Sequence, residues 1–534
     1  MKLLLQSASM AVLVLTAAGC ATQVPQAIQT QNLPSNFTGP VVAGTDVWPK
    51  ADWWQGFGSD EMSSLIVQAR SDNLDIAAAI ARVRQAKANV RIAGSALWPT
   101  LNAQGTATRA RNGSSTVTIP AGGGGSTTLT TPASTGNEFD VGLQASYELD
   151  VFGKNRDTLT AEDEALKSSR YSMQSVALTT TATVATTYLD VLALRERISI
   201  AQQNIDAANR ILVITKAKVQ NGVSSRLDLA QQEAQVAGQE AQIPALQEQE
   251  REAVFALAIL LGRMPEGFDV KGQTLDAIKS PLVAPGLPSQ LLLRRPDVAL
   301  AEANLASAHG NVDAARANFF PAIGLSGSAG YANNMIKSLI NPGNFAWSVG
   351  ASLLQTIFDG GLKNGQYDLA KAQQQELVAD YRKAVISAFS DVETSLNQVA
   401  HLAQQEDYLT QEVNAASEAF RISEIQYREG VADLLAVLQS QQTLFTAQDT
   451  LIQIKLARIQ ADVGLYKALG GGWSEAEVQQ TQIIPTATTP VPAPTAAPAI
   501  ESKPEQPVPQ TPGPSEIQQG DAPTQAPPTK HHKK

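Results

Sequence analysis

The sequence repeats itself, and this internal duplication limits the possible folds more than any other feature. Residues 75–101 align without gaps on residues 297–323, and residues 218–223 match residues 426–431. The offset falls from 222 to 208 residues between these blocks, so the first copy carries about fourteen extra residues. They fall in the Gly/Ser/Thr-rich stretch 112–136, whose composition predicts a flexible loop.

Each copy predicts a helix, two strands, a long helix and a shorter return helix. We assign the first structural repeat to residues 74–286 and the second to residues 287–473. The strand predictions rest on a period of two, since Phe139, Val141 and Leu143 alternate with polar or small residues. The expected strands lie at about 100–109, 139–149, 322–331 and 345–354.

The predicted strands are long enough to cross a bilayer, which takes about 9–11 residues. Phe139 and Tyr147 lie near the two ends of one strand, where interfacial aromatic girdles occur. A small soluble hairpin packed on a core is the alternative. However, the pattern occurs in both halves of the chain, and the N-terminal residues are typical of an export signal. Four strands cannot close a barrel, and open sheet edges cannot face lipid, so several chains must share one barrel. Two chains would leave little lumen, whereas three or more would enclose a channel.

The predicted helices include two very long ones. Neither Gly nor Pro interrupts residues 154–221 or 366–429, and each tract would reach about 100 Å if continuous. The return helices, residues 224–261 and 432–469, would reach only about 60 Å. Pro244 should kink or interrupt the first of them. Because the opening helix of each repeat would supply the missing length, we predict that it stacks end to end on the return helix.

The return helices carry an apolar repeat of seven residues, shown by Val437, Leu444 and Leu451. Such a repeat predicts left-handed coiled-coil contacts. Gly222 and Gly430 follow the long tracts and predict left-handed C-caps at turns far from the strands. A lipid-anchored trimeric stalk with no pore is the alternative reading of these helices, and the alternating strands favour a helical wall around a wet interior.

The N-terminus is typical of an export signal. A lysine, an apolar stretch and small residues precede Cys20, which is the single cysteine of the sequence. This order predicts a signal peptide over residues 1–19 and a lipidated N-terminal segment over residues 20–73. An ordinary signal peptide with an incidental cysteine is the alternative. At the other end, residues 474–534 are rich in Pro, Thr and Gln and predict a disordered tail.

Composition argues against other classes of protein. The net charge is −10 and no long basic cluster occurs, so we expect no nucleic-acid partner. Four histidines and one cysteine supply a metal site or a catalytic triad poorly. No nucleophile elbow, P-loop or metal-spaced histidine cluster stands out in the sequence. We therefore expect no enzymatic activity, no metal and no cofactor beyond a covalent lipid on Cys20.

Several motifs make the chain resemble the outer membrane efflux protein family, in the NodT-type lipoprotein branch of the TolC-like channels. They are Trp53-Trp54, Asn73-Leu74-Asp75, Arg294-Arg295-Pro296-Asp297, Phe319-Phe320-Pro321, Phe358-Asp359-Gly360-Gly361 and Leu469-Gly470-Gly471-Gly472-Trp473. The resemblance covers about residues 20–473. It implies a mostly α-helical fold with a membrane β-barrel: a homotrimer in which four strands per chain form a twelve-stranded barrel, continued by a long periplasmic α-helical barrel.

The same resemblance implies an outer-membrane exit channel that passively conducts exported small molecules. Its expected partners are a periplasmic adaptor protein and an inner-membrane transporter of the resistance-nodulation-division (RND) type. The expected location is the cell outer membrane, where the protein is both lipid-anchored and membrane-spanning. We expect the upstream transporter, rather than the channel, to select the cargo.

The resemblance also assigns roles to residues at the helix tips. It matches Gly222-Val223 and Gly430-Val431 to adaptor-docking turns. The candidate periplasmic gate consists of Asp228, Arg226, Tyr427, Leu435 and Gln439. In it, Asp228 is a tip carboxylate, Arg226 a partner for a nearby carboxylate, Tyr427 a gate-network residue and Leu435 a hydrophobic constriction. Gln439 stands where relatives often carry Asp, which leaves a second anionic ring open. The alternatives are a solvated charge for Asp228 and seam packing for Leu435.

Overall fold

The computed structural model describes residues 37–39, 48–121, 125–281 and 288–473. The helices are α1 (Asp60–Asp72), α2 (Leu74–Ser95), α3 (Lys154–Gln220), α4 (Arg226–Glu240), α5 (Gln242–Leu260), α6 (Pro288–Leu291), α7 (Pro296–Ala317), α8 (Leu362–Glu429) and α9 (Leu434–Ala468). The strands are β1 (Thr100–Asn112), β2 (Ser115–Ala121), β3 (Gly125–Thr131), β4 (Ser134–Leu149), β5 (Ala322–Asn333) and β6 (Phe345–Leu354). The predicted signal peptide, Cys20 and the predicted tail lie outside the described residues.

Four strands form one antiparallel sheet in the order β1–β4–β5–β6. The central pairing, β4 with β5, joins the two repeats. Its register places Tyr147 opposite Leu325, which in turn lies opposite Ala351 on β6. The alternating apolar residues of neighbouring strands therefore share one face, because residues opposite each other point to the same side. Strands β1 and β6 are the two open edges of this sheet.

The predicted flexible loop over residues 112–136 is wrong. Strand β1 continues to Asn112, β4 already begins at Ser134, and β2 pairs with β3 as a second antiparallel hairpin between them. Thr116 lies opposite Thr130 in this hairpin. Thr and other β-branched residues fit a pleated surface, and their cross-strand pairs outweigh the loop signal of the surrounding Gly and Ser.

The short helices stack end to end on the return helices, as predicted. In the first repeat the Asn73 side chain joins α2 to α5. Its amide nitrogen donates to the carbonyl of Leu260, the last residue of α5, at 2.9 Å. Its amide oxygen accepts from the backbone N–H of Asp75, in the first turn of α2, at 2.9 Å. One asparagine therefore satisfies the end of one helix and the start of the next.

In the second repeat Arg295 makes the equivalent joint between α9 and α7. Its guanidinium donates to the carbonyl of Ala468, the last residue of α9, at 3.2 Å. It also pairs with Asp297 at the start of α7 (2.6 Å) and with Asp391 on α8 (2.8 Å). Gly470, at φ +89°, passes so close to the Arg294 carbonyl that a Cβ would lie 1.9 Å from its oxygen. This contact places the Arg-Arg-Pro-Asp string next to the terminal Gly run in the fold.

The first return helix is interrupted, as Pro244 predicts. Helix α4 ends at Glu240 and α5 begins at Gln242. The break falls four residues before the proline because the pyrrolidine ring clashes with the carbonyl of residue i−4. The second return helix, α9, has no proline in its sequence and runs unbroken over 35 residues.

Two hydrophobic clusters hold the helices together. The larger one packs the N-terminal Trp53 and Phe57 against the middle of α3 and the end of α9, and Trp53 stacks on Tyr466 at 5.1 Å. The smaller one lies where α3, α8 and α9 approach the turns, and it buries Val437 and Leu444 of the seven-residue repeat. Helix α3 has an apolar stretch long enough to cross a membrane, but more than half of it is buried inside the fold.

Candidate functional site: sheet faces and helix tips

The sheet has one apolar face, and no element of the described chain covers it. On this face of β6, Trp347, Val349 and Leu353 are 70%, 78% and 68% exposed, and Phe345 is 50% exposed. Leu101 on the opposite edge strand is 67% exposed. A soluble hairpin would bury such residues against a core. Their exposure means that this face meets an apolar surrounding outside the chain.

The opposite face of the sheet is polar and made of small side chains. The Ser328 and Ser348 hydroxyls hydrogen bond across β5 and β6 at 2.8 Å, and Thr106 of β1 hydrogen bonds to Asp140 of β4. Glu138 and Glu148 lie on this same face. Within the four described strands this face carries three carboxylates and no basic side chain. It is suited to line water, and its charge favours cations.

The apolar face has the height of a bilayer. From Phe139 to Leu149 strand β4 spans about 34 Å, or about 26 Å across a membrane at a tilt of about 40°. The Leu149 end adjoins α3, which begins at Lys154, so the Phe139 end points away from the helices. Aromatic pairs lie near both ends of the apolar face. The ring centres of Tyr331 and Phe345 are 5.4 Å apart at the end far from the helices, and those of the stacked Phe152 and Phe320 are 4.8 Å apart at the end near them.

The two helix turns have the same geometry. Gly222 (φ +71°) and Gly430 (φ +81°) are both left-handed, as predicted. The N–H of Val223 donates to the Lys218 carbonyl, and the N–H of Val431 donates to the Gln426 carbonyl, each at 2.8 Å. These are Schellman caps, which satisfy the last carbonyls of a helix. Nothing lies within 4 Å of where a Cβ would stand on either glycine.

Asp228 belongs to the cap of the helix that follows the first turn. Its carboxylate accepts from the Ser225 backbone N–H at 2.8 Å and from the Ser224 hydroxyl at 2.6 Å. The Ser225 hydroxyl accepts from the Asp228 N–H at 3.1 Å, which completes a capping box. The hydroxyl of Ser224, followed by the backbone N–H of Ser225, lowers the pKa of Asp228. It is therefore ionised at neutral pH and held in place at the turn.

The tips expose apolar side chains. Val223 and Val431 are 71% and 77% exposed, and Leu435 is 55% exposed. The preceding residue, Leu434, is buried where α9 packs against α3 and α8. Leu435 is thus not packed within the chain. The 208-residue offset between the two repeats maps Leu435 onto Leu227, which is also exposed. Leu227 was not among the residues to which the family resemblance assigned a role.

Tyr427 lies inside the chain, and among the described residues it makes no hydrogen bond to Asp228. It is buried, its hydroxyl is 3.0 Å from the Thr215 hydroxyl on α3, and Lys218 Nζ lies 4.7 Å from the centre of its ring. It therefore fastens the end of α8 to α3. Arg226 is exposed and pairs with no carboxylate in the described part of the chain, and Gln439 is exposed on α9.

Comparison with known proteins identifies the family. The model of the outer membrane efflux protein family matches residues 65–263 and 287–471. The pyoverdine export outer membrane protein OpmQ of Pseudomonas aeruginosa is 40% identical over 441 residues, which cover 82% of this chain and 91% of that protein. The cation efflux system protein CusC of Escherichia coli O6:H1 is 27% identical, over 86% of this chain and 96% of that one.

Solved structures have the same fold. The outer-membrane channel OprN superposes with a TM-score of 0.76 at 26% identity, covering 85% of this chain and 99% of that one. The open state of the MtrE outer membrane channel of Neisseria gonorrhoeae gives a TM-score of 0.73 at 29% identity, over 85% of this chain and 98% of that one.

The chain therefore belongs to the outer membrane efflux protein family. Its four-stranded sheet is one chain's part of a twelve-stranded barrel formed by three copies, continued by a long helical barrel on the periplasmic side. It is an outer-membrane efflux channel that works with a periplasmic adaptor and an inner-membrane transporter of the RND type.

Proposed function

We propose that the two turns at Gly222-Val223 and Gly430-Val431 are the surface on which the adaptor docks. The observation that carries this proposal is their equivalence: each turn has the same cap and presents an exposed valine at its apex. A partner that repeats the same contact can therefore bind both turns of every chain. The absence of a side chain on each glycine leaves room for close backbone approach.

We infer that the residues beside these turns form the periplasmic gate. In a threefold assembly each exposed side chain at the tip occurs three times. Leu435 would then supply a hydrophobic ring that closes by excluding water, and Asp228 an anionic ring that favours cations. The Thr215–Tyr427 hydrogen bond ties α8 to α3 and so holds the tips in one arrangement.

The cargo is proposed to be selected upstream. Relatives that match more than four-fifths of this chain carry names referring to pyoverdine, cations, antibiotics and toluene. Such different molecules share no recognition chemistry, so a wide passive duct suits all of them. The chain performs no bond chemistry in this proposal, and a lipid on Cys20 is the only group added to it.

The docking proposal is tested by charging the two exposed valines. The Val223→Glu and Val431→Glu double variant should lower chemical crosslinking to the adaptor at least 10-fold, while channel conductance stays unchanged. Val213→Glu is the matched control, because Val213 is also exposed (69%) but lies on the body of α3. Normal crosslinking and normal export by the double variant would refute the docking surface.

The gate proposal is tested by removing one hydroxyl at a time. Tyr427→Phe and Thr215→Val each break the same hydrogen bond without changing size, so each should raise conductance in planar bilayers. The double variant should conduct no more than either single variant, since both remove one interaction. Conductance equal to wild type in all three variants would exclude this contact from the gate.

A further inference from the structure

Charge is divided between the two faces of the sheet with no exception among the described strands. The inward, polar face carries Glu138, Asp140 and Glu148. The outward, apolar face carries Arg109 and Arg111, both exposed on β1. These two arginines are the only charged residues on the outward face of the four strands. The inward carboxylates are explained by a water-filled lumen that favours cations. The two outward arginines have no such explanation.

The arginines lie just outside the apolar band. The register pairs Ala107 with Phe139, the aromatic residue at the end of the band far from the helices. Arg109 and Arg111 follow at two and four residues, which is about 7 and 14 Å along the strand, or about 5 and 10 Å across the membrane. A bilayer's polar layer extends about 5–8 Å beyond each side of its hydrocarbon core. The backbone of Arg109 therefore falls within the outer-leaflet headgroup layer, and that of Arg111 lies about 2–5 Å beyond it, close enough for its long side chain to reach back to a headgroup.

Nothing in the described chain neutralises these arginines. Neither forms an ion pair or a side-chain hydrogen bond with a described residue. Their cross-strand neighbours are Asn137 and Thr135, whose side chains are neutral and polar. Within one chain the site thus offers two unpaired planar cations beside an amide and a hydroxyl, a set of groups that suits a phosphate group.

We propose that Arg109 and Arg111 bind the phosphate groups of the phosphorylated glycolipid that forms the outer leaflet, lipopolysaccharide. The acyl chains of that lipid would lie on the apolar face directly below, along Ala107 and Phe139, so that one molecule contacts both the band and the arginines. The site rests on the placement of the sheet in the outer membrane and is independent of the proposed docking turns and gate.

The test measures binding of purified full-length trimer to rough lipopolysaccharide in detergent. The Arg109→Gln and Arg111→Gln double variant should bind about 30-fold more weakly, which is equivalent to about 2 kcal/mol. The Arg109→Lys and Arg111→Lys variant keeps the charge but loses the bidentate geometry and should fall between the two. Lys87→Gln with Arg91→Gln is the matched control, since it removes two exposed positive charges from α2 and should bind as wild type does.

Two further arms identify the ligand group. Lipopolysaccharide stripped of its phosphates should bind wild type as weakly as the double glutamine variant does. Inorganic phosphate at millimolar concentration should not displace the intact glycolipid, because it has no acyl chains to place on the apolar face. Equal binding by wild type and the double glutamine variant, equal binding of intact and dephosphorylated glycolipid, or displacement by inorganic phosphate would each overturn the proposal. Trimer formation and conductance of every variant are checked first, so that a misfolded protein is not scored.

Discussion

Placing one arginine on the lipid-facing side of the sheet should prevent insertion of the channel. Val349 is the position of choice because it is 78% exposed and lies in the middle of the apolar band, opposite Gly327, which is itself opposite Ala145. Its replacement by Arg disturbs no packing within the chain. All of the cost therefore comes from the membrane.

The magnitude follows from the depth of the residue. An arginine on the lipid face of a barrel costs about 2–4 kcal/mol at the midplane and about 0–1 kcal/mol near the interface. With three copies per assembly, Val349→Arg should cost about 6–12 kcal/mol per trimer. Ala107→Arg, on the same face beside Phe139, should cost far less because it lies at the rim of the band.

The matched control lies one residue away. Ser348→Arg points to the polar face, where it loses the hydrogen bond to Ser328 but remains in water. Each variant is refolded into lipid vesicles over a urea series, and the fraction of heat-resistant trimer is read on gels. We expect Val349→Arg to give no inserted trimer where Ser348→Arg and Ala107→Arg insert. Equal insertion by the variants at positions 348 and 349 would refute the assignment of the two faces.

Three further predictions concern charge. Burial raises the pKa of Asp462 to about 6, so the folded chain keeps this proton to higher pH than the unfolded chain does. The free energy of unfolding should therefore fall by about 3 kcal/mol as the pH rises from about 4 to above 6. Thermal unfolding of Asp462→Asn should lack this pH-dependent loss. Glu138→Gln with Asp140→Asn should lower the ratio of cation to anion permeability in planar bilayers, because it removes two of the three inward carboxylates. Arg295→Met should cost about 1–3 kcal/mol of stability in denaturant titration, since the Ala468 carbonyl and the half-exposed carboxylates of Asp297 and Asp391 lose their buried guanidinium partner.

Each of these three predictions has a clear contrary result. A pH-dependent loss of stability in Asp462→Asn equal to that of wild type would show that other groups cause it. Unchanged ion selectivity of the double amide variant would show that the barrel wall does not set it. A denaturation midpoint for Arg295→Met equal to that of wild type would show that the joint between α9 and α7 contributes little.

Much of the architecture could be predicted because it depends on local patterns. The two-residue period of Phe139 to Leu149 fixes which side chains share a face, whatever the strand pairs with. Gly222 and Gly430 are readable as left-handed caps because other residues are strained there. The interruption near Pro244 follows from a missing N–H and a steric clash, which are properties of the residue itself.

Other features were not predicted, for two different reasons. The hairpin β2–β3 was missed because Gly, Ser and Thr favour loops in isolation, while pairing across the register decides the outcome. The capping box of Asp228 could have been read from the spacing of Ser225 and Asp228, which is its sequence signature. The Thr215–Tyr427 contact joins residues 212 positions apart, and no local pattern carries such information.

The barrel closes only if separate chains pair edge to edge, with β6 of one chain beside β1 of the next. Cysteine pairs placed along β1 and β6, in a chain whose Cys20 is replaced by Ser, test this pairing. Oxidation of the assembled protein should join β6 of one chain to β1 of the next and produce covalently linked trimers as the largest species. Crosslinks formed only within single chains, or a failure of every pair along the two edges to link, would contradict a shared barrel.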